Sequence, residues 1–132
     1  MEYNTKITSV KKAFEYLNLD IKALPEVSKL PARFKKFITA AYKLTVVIEA
    51  LNKEANGGKT WKPDWSNGQW DKYHNWFEVN GAGSGFSDTD YVDWRAVTHV
   101  GSRLCFCKSE TATYAANHKE FRKLYEDYLL YT

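Results

Sequence analysis

Long apolar runs are missing from this 132-residue chain, and no window offers the eighteen or so consecutive apolar residues of a membrane-spanning helix. The opening residues Met1, Glu2, Tyr3, Asn4, Thr5 and Lys6 also lack the apolar core of a signal peptide. Both absences predict a soluble protein with no membrane partner and no route outward. Cysteine is scarce: Cys105 and Cys107 are the only two. On the strand expected there they share one face, a geometry poor for a disulfide, so a reducing cytoplasm is the expected setting.

The residues that carry chemistry are equally sparse. His74, His99 and His118 fall on three different expected elements, and no pair has the spacing of a zinc helix or a Cys/His knuckle. Asp88, Asp90 and Asp93 are spaced like part of a calcium loop, but the glycine and the distal bidentate glutamate are missing from the required positions. Gly81, Gly83 and Gly85 follow an expected strand without opening a helix, so they make no phosphate loop. No catalytic residue, metal or cofactor is expected, and the reading is of a protein that binds rather than one that catalyses.

Aromatic residues are abundant, and they are concentrated. All five tryptophans lie between Trp61 and Trp94, with Tyr73, Phe77, Phe86 and Tyr91 among them. That tract is also the acidic part, with two Lys/Arg against six Asp/Glu, whereas residues 1–60 carry eleven against six and residues 95–132 six against four. Single-strand nucleic-acid platforms mix stacking aromatics with basic residues, and here the linear sequence separates them.

In chain order, Ser9 reads as the N-cap of a short helix through Val10, Ala13, Phe14 and Leu17 that ends near Asn18. A connector from Leu19 to Leu30 follows, with Leu24, Val27 and Leu30 expected to pin it to the core. Pro31 suits the first turn of a long helix whose stripe is Phe34, Phe37, Ile38, Ala41, Leu44, Ile48 and Leu51, widened by Val46 and Val47. Asn56, Gly57 and Gly58 end it. Pro63, Asn67-Gly68 and the three later glycines break the next stretch into strands near 69–79 and 86–94, joined as a hairpin, with a further strand near 98–106. That third strand would place Leu104 and Phe106 on one face and Cys105 and Cys107 on the other. Ser109 would cap one final helix with Tyr114, Ala115, Phe121, Leu124, Tyr125, Tyr128 and Leu129 along its buried side. The expected fold is a single α+β domain in the order helix, helix, sheet, helix, with helices packed on one face of a small antiparallel sheet. Its parts are a helical region at 1–58, an aromatic-rich β region at 59–108 and a C-terminal helix at 109–132.

The string Val100-Gly-Ser-Arg-Leu-Cys-Phe, followed by Lys108-Ser, Tyr114-Ala, Phe121, Leu124-Tyr125, Asp127 and Leu129, resembles the C-terminal half of a family of small uncharacterised proteins from tailed phages and prophages of Bacteroides-type gut bacteria. Asp20, Leu24-Pro25, Leu30-Pro31, Ala50-Leu51-Asn52, Trp61-Lys62-Pro63-Asp64-Trp65, Tyr73 and Trp76-Phe77 are similar to the same pattern, so the resemblance spans most of the chain. Cys107 departs from it as an extra residue before Lys108-Ser. The resemblance implies a phage-encoded protein of the host cytoplasm and carries no activity with it.

A domain of this size has little room to bury nine aromatics from one stretch. Those left exposed near Arg95 and Arg103 would form a surface for stacking and for forked hydrogen bonds to phosphate oxygens. The expected ligand-binding residues are Trp65, Trp70, Tyr73, Trp76, Trp94, Arg95 and Arg103, and the expected ligand is a nucleotide-like small molecule, sequestered rather than converted. Two alternatives stand beside it. One is a nucleic-acid face built from Lys11, Lys12, Lys29, Arg33, Lys35 and Lys36; the other is a host protein docked on the acidic aromatic tract. Homo-oligomerisation is left open.

Overall fold

The computed structural model describes residues 3–66, 71–79, 86–94 and 101–130, with the backbone alone for 78–79, 86–94 and 102. The architecture is mixed and dominated by helices: α1 (Val10–Tyr16), α2 (Ala32–Ala55), β1 (Lys72–Val79), β2 (Phe86–Trp94), a 3-10 turn at Ser102–Leu104, α3 (Ser109–Asn117) and α4 (Lys119–Leu129). Among the described residues no helix is long and apolar enough to cross a membrane.

Ser9 caps α1 as its sequence suggests, its hydroxyl accepting from the Lys12 N–H at 3.0 Å. Asn18, in the left-handed region at φ 58, turns the chain out of it. Pro31 stands one position before the first helical residue of α2, as its N-cap. Leu44, Val46, Val47, Ile48, Ala50, Leu51 and Asn52 are all buried, so the second half of α2 is enclosed on nearly every side, by α1, α3, α4 and the 3-10 turn.

The first half of α2 corrects the expected stripe. Phe34 and Phe37 are 39% and 42% exposed: the end of α4 touches this end of α2 through Tyr128 on Phe37 and Asp127 near Lys36, and both Phe rings stay partly open to solvent. Leu24 and Leu30 are exposed as well, so the connector is not pinned through them.

β1 and β2 pair antiparallel from Lys72↔Trp94 to Val79↔Phe86, with an irregularity at Glu78/Val79. The residues expected to join them fall outside the described ones. Along β1, Asn75 and Phe77 turn toward α3 and α4: Asn75 Nδ2 donates to the Ala112 carbonyl at 2.8 Å, and the Phe77 ring lies 4.9 Å from Tyr125. Asn75 and Tyr125 are buried, and the phenol of Tyr125 is pushed up by that burial.

The described part of the expected third strand is something else. Residues 102–104 form a single 3-10 turn, and Phe106 pairs with β1 through an isolated bridge to Tyr73 with N···O distances of 3.0 and 2.6 Å. The side chain of Asn52 takes over the work of a neighbouring strand. Its Nδ2 donates to the Cys105 carbonyl at 2.8 Å and its Oδ1 accepts the Cys107 N–H at 3.0 Å. A buried amide from α2 thereby satisfies the backbone on both sides of Phe106. Cys105 is fully buried and Cys107 half-buried, neither thiol is in a disulfide, and they do not share a strand face.

The final helix is two helices. His118, extended at φ −74 and ψ 131, ends α3 and caps α4, and its Nδ1 accepts from the Glu120 N–H at 3.2 Å. That acceptor role leaves the ring proton on Nε2, which donates to the Thr8 carbonyl at 3.0 Å. The ring also stacks on Phe121 at 4.0 Å. Lys108 rather than Ser109 occupies the N-cap of α3, and Leu129 is exposed.

Candidate functional site

The end of α2 sets up the site. Gly57 and Gly58 sit at φ 71 and 86, a region that costs glycine nothing. Gly58 N–H bonds the Lys53 carbonyl at 2.8 Å and Gly57 N–H the Glu54 carbonyl at 3.3 Å, the paired closure of a Schellman turn. The chain reverses there. Thr60, Trp61, Lys62 and Pro63 run back along α2 and, with Thr45, Ile48, Glu49 and Asn52, line a cavity of about 440 Å³. Trp61 is buried and forms its aromatic wall.

Arg103 closes the other side. Gly101, at φ 79, starts the 3-10 turn that projects Arg103 over α2. Arg103 lines the 440 Å³ cavity and also an adjoining one of about 230 Å³ bounded by Ala41, Leu44, Leu104 and Tyr128, with Thr45 common to both. The two lie side by side along α2 and share Arg103 and Thr45, and together they are called the groove.

The polar groups of the groove divide into those that are engaged and those that are not. Asn52 is committed to the backbone of Cys105 and Cys107, and the Thr45 hydroxyl donates to the Tyr42 carbonyl at 2.8 Å. Arg103, Glu49 and Lys62 make no ion pair among the described residues. An aromatic wall with one guanidinium, one ammonium and one carboxylate held open can take a planar ligand bearing an anionic group.

A larger, shallow cavity of about 940 Å³ lies between the N-terminal segment and α3, lined by Tyr3, Glu54, Lys108, Glu110, Tyr114 and His118 among others. Its polar groups hold the chain together. Tyr3 hydrogen-bonds Thr111 at 2.7 Å, and Glu54 accepts from the Thr5 hydroxyl and from the Lys6 N–H at 2.7 Å. Tyr114 donates to the Ile7 carbonyl at 2.8 Å. Burial pushes the phenols of Tyr3 and Tyr114 up, so neither is poised to give a proton near neutrality.

Of the expected ligand residues, Arg103 lines the groove, whereas Trp65, Tyr73 and Trp76 do not. The Trp65 ring covers the buried Lys72, whose ammonium lies 5.0 Å from its centroid. Tyr73 is half-buried at the Phe106 bridge. Trp76 is 37% exposed on β1, where the alternation of side chains sets it opposite Phe77. Trp70 and Arg95 lie outside the described residues, as does the Trp94 side chain; of the acidic aromatic tract at 61–94 expected to dock a host protein, the described side chains are those of 61–66 and 71–77.

Sequence reasoning missed Trp61, Glu49 and Lys62. The available signal was the Gly57-Gly58 turn, which forces Trp61-Lys62-Pro63 back onto the helix just completed.

The expected basic residues come from two helices and the connector between them. α1 meets α2 through Phe14 on Tyr42 and Tyr16 near Lys53. Arg33, Lys35 and Lys36 lie in the first turns of α2 and Lys29 in the connector before it, and Arg33 is about 14 Å along the helix axis from Tyr42 at 1.5 Å per residue. Lys11 and Lys12 are on α1, where Lys12 lies 3.8 Å from Glu15. Among the described residues no cluster of three His, Cys, Asp or Glu could hold a metal ion. No known family model, curated protein or solved structure matches this chain.

Proposed function

We propose that this chain is a non-enzymatic binding protein that holds a nucleotide-like small molecule in the groove between Trp61 and Arg103. In the setting implied by its phage resemblance, it acts as an accessory protein in the host cytoplasm and sequesters the ligand. One observation carries the reading: Arg103, exposed and without an ion-pair partner among the described residues, lines both halves of the groove. Its planar fork suits phosphate oxygens, and Lys62 adds a second positive charge on the same cavity. Glu49 accepts from ligand N–H or O–H groups. A cavity of about 440 Å³ falls within the roughly 300–1,000 Å³ of small-molecule sites. The same reading takes the β1–β2 ribbon as a small antiparallel sheet carrying the helices on one face.

Calorimetry and thermal-shift measurements against mononucleotides and cyclic dinucleotides test it. The expected result is saturable binding that Arg103→Ala weakens at least about tenfold, with the melting temperature within a few degrees. Absence of stabilisation by every nucleotide tried refutes it.

A further inference from the structure

The start of α2 and the end of α4 leave an apolar patch that shares Tyr128, and no other lining residue, with the proposed ligand groove. Phe34, Phe37 and Leu129 are 39%, 42% and 49% exposed, and with Tyr128 and Leu130 they line a cavity of about 300 Å³. The Phe37 and Tyr128 rings lie nearly parallel with centroids 5.2 Å apart, which gives that cavity a fixed wall. Its rim is basic. Arg33 sits 4.7 Å from the Phe34 ring centroid, and Lys36 borders the same cavity. The nearest acid, Asp127, is already shared by Lys123 at 2.7 Å and Lys36 at 3.7 Å. Arg33 and Lys35 have no carboxylate partner among the described residues.

We infer that this face docks an acidic amphipathic helix of a partner protein, one large apolar side chain entering the 300 Å³ cavity while flanking carboxylates meet Arg33, Lys35 and Lys36. The charge pattern selects this occupant. A second copy placed by two-fold symmetry would set Arg33 and Lys36 against themselves, an unfavourable like-charge meeting. A nucleic acid needs free aromatic faces, and here Tyr128 covers one face of Phe37 and Arg33 one face of Phe34, while Leu129 and Leu130 offer no stacking surface.

The test uses the intact protein and a dye-labelled synthetic helix of about four turns with Leu at i, i+3, i+4 and i+7 and Glu elsewhere. A counterpart with Lys in place of Glu, and a single-stranded oligonucleotide, serve as comparisons. In fluorescence anisotropy the acidic helix should bind in the micromolar range and at least about tenfold tighter than the basic one. Phe37→Ser and Leu129→Ser should each abolish that binding, and Arg33→Glu should weaken it about tenfold. Equal binding of the two helices overturns the inference, as does tighter binding of the oligonucleotide or an unchanged affinity in both serine variants. A concentration-dependent dimer in sedimentation that Phe37→Ser dissolves would assign the face to a second copy and likewise overturn it. Phe37 stacks on Tyr128, a wall of the Arg103 groove, but neither Leu129 nor Arg33 lines that groove, so Leu129→Ser and Arg33→Glu should still bind nucleotide, and failure of one reading is separable from failure of the other.

Discussion

Replacing Asn52 by leucine keeps the approximate volume of a side chain only 4% exposed, but removes both partners of the backbone around Phe106. The Cys105 carbonyl and the Cys107 N–H lose hydrogen bonds of 2.8 and 3.0 Å at a place where water has little access. Each such group left unsatisfied costs about 1–3 kcal/mol, so Asn52→Leu should lose roughly 2–5 kcal/mol, a large fraction of a domain's stability. Asn52→Asp sharpens the test. It retains an acceptor for the Cys107 N–H but sets a carboxylate against the Cys105 carbonyl, and should be no more stable than the leucine variant. Urea unfolding monitored by tryptophan fluorescence measures both, with an unchanged m-value certifying that the native state is still compact. Hydrogen exchange at the Cys107 amide should accelerate in the leucine variant beyond what the global loss explains. A loss below about 1 kcal/mol in both variants would refute the claim that this one amide takes the place of a strand.

Leu44→Ala should cost roughly 2–5 kcal/mol, since Leu44 is fully buried, whereas Phe37→Ala, on the open end of the same helix, should cost under about 1.5 kcal/mol; denaturant titration of the pair checks the difference. Burial raises the Tyr125 phenol in the folded state, so the unfolded chain releases that proton first as pH rises past about 10. The Tyr125 contribution to stability should therefore be level below that point and fall above it, and Tyr125→Phe should flatten the decline without removing it, because the Tyr3 and Tyr114 phenols and the Cys107 thiol are raised in the same direction. Both thiols should be free by mass spectrometry without reductant. Cys107, its thiol pushed up by burial, should react slowly with alkylating reagents in the native protein, and the fully buried Cys105 more slowly still.

The local sequence by itself determined much of the helical half. Ser9, Asn18 and the Asn56-Gly57-Gly58 stop act through their own backbone geometry and need no distant partner, which is why α1 and the end of α2 fall where their residues indicate. The 3.6-residue period also marked α2, but periodicity reports which residues lie on one side and not how far along the axis a neighbour extends. Leu44 and Phe37 share that period and differ in burial: Leu44 is fully enclosed, whereas Phe37 meets the end of α4 through Tyr128 and stays 42% exposed. Tertiary structure alone decided the rest. The break at His118 depends on the Thr8 carbonyl, more than a hundred residues away in the chain, and no glycine or proline announces it. The Cys105–Cys107 segment alternates like a strand, yet Asn52 on a helix supplies the bonds that a neighbouring strand would have made. The groove follows the same logic: Arg103 was legible from its string, while Trp61, Glu49 and Lys62 join it only because the chain reverses at Gly57-Gly58 and lies back along α2. Caps and turns are short-range and can be read from neighbouring residues, whereas burial and cavities are set by which distant surfaces meet.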